Sequence, residues 1–202
     1  MDGPNPVYTL GYGNRSIEDF LSLLQRYEIE VVCDVRSAPY SSRFPDFSRE
    51  VLQAALKGCG LRYLFMGELL GARPSDPDCY ENGRVSYDLL SKSSAFRQGI
   101  ERVETGAETL RIALMCAEKD PLDCHRAVLI SRWLSHSGIS ILHIDATGDI
   151  ETHSQFEARL LKRFKLDQAS LFDLRSNEEA LNEAYIRRGH DLAFDAAAVY
   201  SA

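Results

Sequence analysis

Leu114-Met115-Cys116-Ala117-Glu118-Lys119-Asp120-Pro121-Leu122-Asp123-Cys124-His125-Arg126 reads as the end of a buried strand, a polar loop and the start of a helix. Ile112 to Met115 is a short apolar run of the kind a parallel sheet buries on both faces. Pro121 brings no backbone donor and breaks the pattern. Asp123 is a good N-cap, and Leu129, Ile130, Trp133 and Leu134 then recur at helical spacing until Gly138. On this reading Cys124, His125 and Arg126 occupy the first helical turn, where free N–H groups and partial positive charge favour thiolates and anions. Ligands of open α/β sheets bind outside the carboxyl ends of the strands, the place that Cys116 and Cys124 bracket.

Working outward, Val7 to Tyr12 reads as a first strand, and Ser16 with Asp19 as a capping pair for a helix with Ile17, Phe20, Leu21 and Leu24 on one face. A second strand, Ile29 to Val35, ends in Asp34-Val35-Arg36 and leads into a long loop, Ser37 to Phe47. Ser48 is expected to cap a helix that stops near Gly58 and Gly60. Leu61 to Phe65 is a third strand, followed by a glycine-rich loop, Gly67 to Gly71. Residues 72–84 are polar and expected to be mobile, one helix is expected from Tyr87 to Val103, and Ile139 to Ile144 is a fifth strand. Beyond Gly148, Ser154 and Glu157 form a capping-box pattern before Phe156, Leu160, Leu161 and Phe164. Leu171-Phe172, a short helix from Glu178 to Arg187 and the apolar Leu192-Ala193-Phe194 follow. Strands alternating with helices imply an α/β, Rossmann-like three-layer domain over 1–148, with a mostly parallel sheet of about five strands. Residues 149–202 are expected to form a C-terminal helical extension packing on that domain or on a partner.

The totals narrow the function classes. The chain has 202 residues, 45% hydrophobic and 26% charged, enough for a real core. No apolar run approaches the roughly 20 residues of a membrane span, so no membrane partner is expected. Met1-Asp2-Gly3-Pro4 has neither a basic nor an apolar leader pattern, and five cysteines without one point to free thiols in a reducing, cytoplasmic setting. A net charge of −7 argues against a whole-surface nucleic-acid binder but leaves room for a local basic groove. The sequence assigns no oligomeric state.

Several segments together carry a resemblance: Thr9-Leu10-Gly11-Tyr12 with Ser16, Asp34-Val35-Arg36 with Pro39 and Ser41, Leu70-Gly71, and Cys116-Ala117-Glu118 followed by Cys124-His125-Arg126. In this order and spacing the chain resembles the domain of unknown function 488 family over about residues 7–145, with Leu171-Phe172 and Ala184-Tyr185 also familial in look. The resemblance implies a Rossmann-like α/β domain and little about a reaction. A weaker similarity to rhodanese modules covers Ser16 to Arg36 and the position of Cys116. Glu118, Asp120 and Pro121 do not suit a loop that wraps an anion with backbone N–H groups, so sulfur transfer is not implied. The tyrosine-phosphatase Cys-x5-Arg spacing fails, because Leu122 stands at the arginine position.

Each candidate has a functional and a bland reading. Cys124 is a candidate nucleophile with His125 or Glu118 as base, or else a thiol packed under the helix. Cys116 is a second reactive thiol or simply core. The two together are a candidate reversible disulfide. Zinc held by the two with His125 is the other alternative, but it is not expected, since zinc favours four ligands and a tighter pattern with a second pair, and Cys33, Cys59 and Cys79 are scattered; no cofactor is expected either. Arg126 suits a phosphate or carboxylate, or a structural ion pair. Asp34 is a candidate substrate-binding residue beside Arg36 and reads best as an acid ordering the loop after its strand. Arg36, Tyr40 and Arg43, with Phe44 and Phe47, place basic and aromatic groups on one loop, which suits a nucleotide or single-stranded nucleic acid; Thr9 and Tyr12 are expected to line the same cleft. His143 reads as a satisfied core histidine, and His153 carries no signal. The leading expectation is an enzyme acting on an anionic, nucleotide-like small molecule. The alternatives are a nucleotide or nucleic-acid binding module without catalysis, and a thiol redox-sensing interaction domain.

Overall fold

The computed structural model describes residues 3–167 and 176–196, so the familial pair Leu171-Phe172 lies outside the described residues. In chain order the elements are β1 (Val7–Gly11), α1 (Ile17–Arg26), β2 (Val31–Asp34), α2 (Arg49–Gly58), β3 (Arg62–Phe65), α3 (Gly67–Leu70), β4 (Tyr80–Glu81), β5 (Arg84–Val85), α4 (Tyr87–Lys92), α5 (Ser94–Ala107) and β6 (Ile112–Cys116). A wide, π-type helical stretch, Arg126–Ser131, runs into α6 (Arg132–His136), followed by β7 (Ile141–Ile144), β8 (Ile150–Thr152), α7 (His153–Arg163) and α8 (Asn177–Leu192).

β3, β2, β6, β1 and β7 lie side by side and parallel, and β8 closes one edge antiparallel. The sheet has six strands where about five are expected; β8 is too short and too polar to stand out in the sequence. Phe20 and Leu24 of α1 with Leu52 and Leu56 of α2 pack on one face against Leu10, Val32 and Met115. Phe96, Ile100 and Val103 of α5, with Leu129, Ile130 and Leu134, pack on the other against Cys33, Leu114 and Ile141. The expected three-layer, mostly parallel α/β architecture is therefore present. No helix among the described residues is long and apolar enough to cross a membrane.

Four local expectations are corrected. The helix expected across 87–103 breaks at Ser93, whose hydroxyl caps α5 by accepting the Phe96 N–H. Residues 72–84 are not a featureless loop. Asn82 and Gly83, with φ of 52° and 80°, close a tight β4–β5 hairpin of the kind that needs positive φ at both central residues. Helix α7 starts two residues early, with Thr152 and Gln155 as its capping box in place of Ser154 and Glu157. Ser48 sits at the start of α2, but its hydroxyl accepts the Ser41 N–H and ties down the preceding loop.

A third core joins the C-terminal helices to the rest: Phe156 and Leu160 of α7, Ala184 and Tyr185 of α8, Leu122 of the loop after β6, and Ala127 and Val128 of the helical stretch that follows it. Arg188 of α8 is 5% exposed and donates from Nε to the Leu122 carbonyl at 2.7 Å, with Asp123 and Asp191 beside its other nitrogens. Replacing it would leave a buried carbonyl unpaired. Arg188→Ala is expected to cost about 2–3 kcal/mol, read as a lower urea midpoint with an unchanged slope; an unchanged midpoint would show that α8 is held by its apolar face alone.

Candidate active site

The topology fixes where the site lies. The chain leaves β1 toward α1 on one face and leaves β6 toward the Arg126–Ser131 turns on the other. Adjacent strands whose connections diverge in this way open a crevice at their carboxyl ends. Gly11 and Cys116 are register partners at that point, and Asp34 pairs with Met115 on the next strand. The approach is close: a Cβ on Gly11 would lie 1.7 Å from the Glu118 carbonyl oxygen and 3.1 Å from Arg126 Nη2.

Beyond Glu118 the loop tightens into a single 3-10 turn, Pro121–Asp123, with Asp120 Oδ1 accepting the Leu122 N–H at 2.9 Å. Cys124 is extended, with φ −138° and ψ 138°, and its carbonyl accepts the N–H groups of Ala127 and Val128. Its sulfur accepts the Arg126 N–H at 3.5 Å. The N-cap is therefore Cys124 and not Asp123, whose carboxylate is drawn off to Arg188. Ser131 Oγ donates to the Arg126 carbonyl at 2.8 Å, a bond that follows the widened turn.

Four side chains converge. Cys124 Sγ lies 3.0 Å from Glu118 Oε2, in hydrogen-bond contact. His125 Nδ1 lies 3.8 Å from both Cys116 Sγ and Cys124 Sγ, and its Nε2 lies 3.1 Å from the Val35 carbonyl. Burial pushes the Cys124 thiol up, but the hydrogen bond from Cys116, the Arg126 charge and His125 outweigh it and hold the thiol well below the ordinary range. Donating that bond, and burial, push Cys116 up. Burial and the neighbouring Cys124 charge raise Glu118. Burial lowers His125, but Cys124, Glu118 and the Val35 carbonyl together raise it above its ordinary value.

Arg126 is fully buried. Its Nη1 donates to the Glu118 carbonyl at 2.8 Å, while Nε and Nη2 have no hydrogen-bond partner among the described residues. Asp34, also fully buried, accepts from the Arg36 N–H and Nε through Oδ1 and from Arg36 Nη2 and the Tyr63 hydroxyl through Oδ2, at 2.6–3.1 Å. This is the loop-ordering role read from the sequence, and it aims Arg36 over the Tyr12 ring, 5.4 Å from its centroid.

Above the cluster lies a cleft of about 390 Å³, its lining including Cys116, Glu118, His125, Arg36 and Tyr12. Tyr40 lines its mouth and is 73% exposed. Cys124, 1% exposed, does not line it. Arg43 stacks on Phe44, outside the lining. Phe44 and Phe47 pack on Tyr12, at 5.9 Å and 4.3 Å between ring centroids, so two of the loop's aromatics pin it to the domain. Thr9 is corrected: it is fully buried and its hydroxyl bonds His143 at 2.8 Å, away from the cleft. Sequence reasoning missed Arg73 and the Leu192 and Phe194 wall, where Arg73 sits 4.5 Å over the Phe194 ring. These parts come from distant segments, and no local pattern marks them.

No curated protein and no solved structure matches the chain. A family model described as domain of unknown function DUF488 matches residues 16–133, more than half of its length, and the chain belongs to that family.

Proposed function

We propose that the chain is an enzyme acting on an anionic small molecule of nucleotide size, with Cys116, Glu118, Cys124 and His125 as its reaction centre. The observation that carries this reading is the convergence of two sulfurs, an imidazole and a carboxyl group, three of them (Cys116, His125 and Glu118) lining a cleft that Arg36 and Arg73 also line. A site in which several groups share protons in a buried pocket next to an open cleft is how acid–base and thiolate chemistry is assembled. The Cys124 sulfur supplies negative charge, Glu118 moves the proton, and Arg36 and Arg73 hold the ligand's charge. Arg126, held under the loop by the Glu118 carbonyl, keeps the centre in place. The cleft volume falls in the range of small-molecule sites. A single-stranded nucleic acid fits less well, because Phe44 and Phe47 are committed to Tyr12 and only Tyr40 remains as a platform.

Two measurements test the reading. Thermal shift and calorimetry with AMP and inorganic pyrophosphate are expected to show stabilisation, with Arg73→Glu weakening the affinity roughly tenfold or more. A mass-spectrometric screen of phosphorylated and carboxylated metabolites is expected to find turnover that Glu118→Gln lowers by about 10²-fold or more. Absence of any shift by both anions, together with no turnover, overturns the proposal.

A further inference from the structure

We infer that Cys116, Cys124 and His125 form a binding site for one zinc-class divalent metal ion, with Glu118 beside a fourth position that opens to the cleft. The inference rests on the proposed function in taking the same cluster as the reaction centre, and it says what the two sulfurs are for.

The geometry fits. Zinc bonds of about 2.3 Å to sulfur and about 2.0–2.1 Å to nitrogen at tetrahedral angles put ligand sulfur and nitrogen about 3.5 Å apart. His125 Nδ1 is 3.8 Å from each sulfur, and all three donor atoms lie within 4.8 Å of one another. No other group of three His, Cys, Asp or Glu side chains converges this way among the described residues.

The imidazole is oriented as a metal ligand. The Val35 carbonyl can only accept, so His125 donates to it from Nε2, and Nδ1, 3.8 Å from each sulfur, is the nitrogen left to take a metal in place of a proton. A ring N–H given to a backbone carbonyl is the usual outer-shell support of a ligating histidine. Arg126 supplies an independent observation. A fully buried guanidinium whose one side-chain hydrogen bond goes to a neutral carbonyl needs fixed negative charge nearby. Two thiolates and the Glu118 carboxylate against a divalent ion and Arg126 leave the pocket neutral.

The donor set selects the class. Two sulfurs and an imidazole favour zinc or cobalt over magnesium or calcium. Three protein ligands with a fourth position open are the pattern of a catalytic rather than a structural zinc site. Cys116 and His125 line the cleft, so that position faces the ligand, next to Glu118. The sequence spacing argued against zinc for want of a second cysteine pair; the fold brings Cys116 and Cys124 together with His125, within 4.8 Å of one another.

The full chain, stripped with chelator, would be titrated with Co(II) and Zn(II). One metal per chain is expected, with thiolate-to-cobalt charge-transfer absorption in the near ultraviolet. Cys116→Ser, Cys124→Ser and His125→Ala are each expected to weaken binding by 10²-fold or more, with far-UV circular dichroism checking the fold. Glu118→Gln is expected to keep the metal within about tenfold, and Cys33→Ser, a buried thiol elsewhere, to leave it unchanged. No cobalt absorption in the folded wild type, or binding that survives both Cys116→Ser and Cys124→Ser, overturns the inference. Nucleotide stabilisation and its loss in Arg73→Glu are scored separately. They stand if only the metal site fails, and the cobalt spectrum stands if only the anion reading fails.

Discussion

Gly11→Ala is expected to unfold the protein or to tear the Glu118 loop from the sheet, a loss of more than about 4 kcal/mol. The carboxyl end of β1 runs so close to the chain after β6 that the new methyl carbon would lie 1.7 Å from the Glu118 carbonyl oxygen and 2.8 Å from its carbon. Both atoms are backbone, so no side-chain rotation relieves the overlap. The Glu118 oxygen cannot retreat freely, because it accepts from Arg126 Nη1 at 2.8 Å and the Tyr12 and Gly13 N–H groups tie β1 to the Cys116 and Ala117 carbonyls. Moving the loop would also strip the fully buried Arg126 of its side-chain hydrogen bond. The cost is therefore steric overlap plus a buried unpaired charge, two of the mechanisms behind the largest single-residue effects. Equilibrium urea unfolding followed by circular dichroism reads it directly. A variant with a wild-type midpoint would mean that the Glu118 loop moves without loss, and that the packing of β1 against it does not organise the site.

Features set by the local chain were legible in the sequence. Parallel strands buried on both faces are short apolar runs, and Ile112 to Met115 announced the central strand β6 without ambiguity. Asp34 was legible as a loop-ordering acid because its partners, Arg36 N–H and side chain, are two residues away. The positions of Cys116, Glu118, Cys124 and His125 around one strand end followed from strand–loop–helix order. What was not legible depends on distant partners. Asp123 has the chemistry of an N-cap, yet Arg188, 65 residues on, claims it, and the cap passes to a cysteine. Thr152-x-x-Gln155 and Ser154-x-x-Glu157 both satisfy a capping-box pattern; the first is used, and Glu157 receives the Tyr185 hydroxyl. The aromatic loop reads equally as ligand platform or as packing until Tyr12 is seen stacked on Phe47. His153 carried no signal because its partners lie on β7 and α8.

Those histidines carry the second large effect: acidification from pH 7 toward 4 is expected to remove about 3 kcal/mol or more of stability through one buried chain. Thr9 Oγ1, His143, His153, the Tyr185 hydroxyl and Glu157 Oε1 are linked in that order at 2.8–3.1 Å. The chain has one self-consistent proton order. Tyr185 donates to Glu157, so His153 Nε2 donates to Tyr185, His143 Nε2 donates to His153 Nδ1, and the Thr9 hydroxyl donates to His143 Nδ1. A proton added to His153 would set its Nδ1–H head to head with His143 Nε2–H, and one added to His143 would turn the Thr9 hydroxyl proton away from its acceptor. Burial pushes His153 down to about 4, helped by His136, and holds His143 well below the ordinary range, helped by His153, Arg126 and Arg159. Glu157 at 3.6 Å from His153 Nε2 pulls the other way, and Arg132 stacks over Tyr185, but burial prevails. The sign follows: both folded values lie below the unfolded value near 6.5, so the stabilisation is complete above that pH and is lost as pH falls toward the folded values. His153 alone accounts for about 3 kcal/mol at pH 4, and His143 adds in the same direction. Urea unfolding at pH 7, 5.5 and 4.5 measures the slope. His153→Gln keeps one acceptor and one donor but cannot titrate, so its stability is expected to fall less steeply across that window. Parallel slopes for wild type and variant would show that other groups set the acid limit, and that the link from β1 through β7 and α7 to α8 is held without regard to its protons.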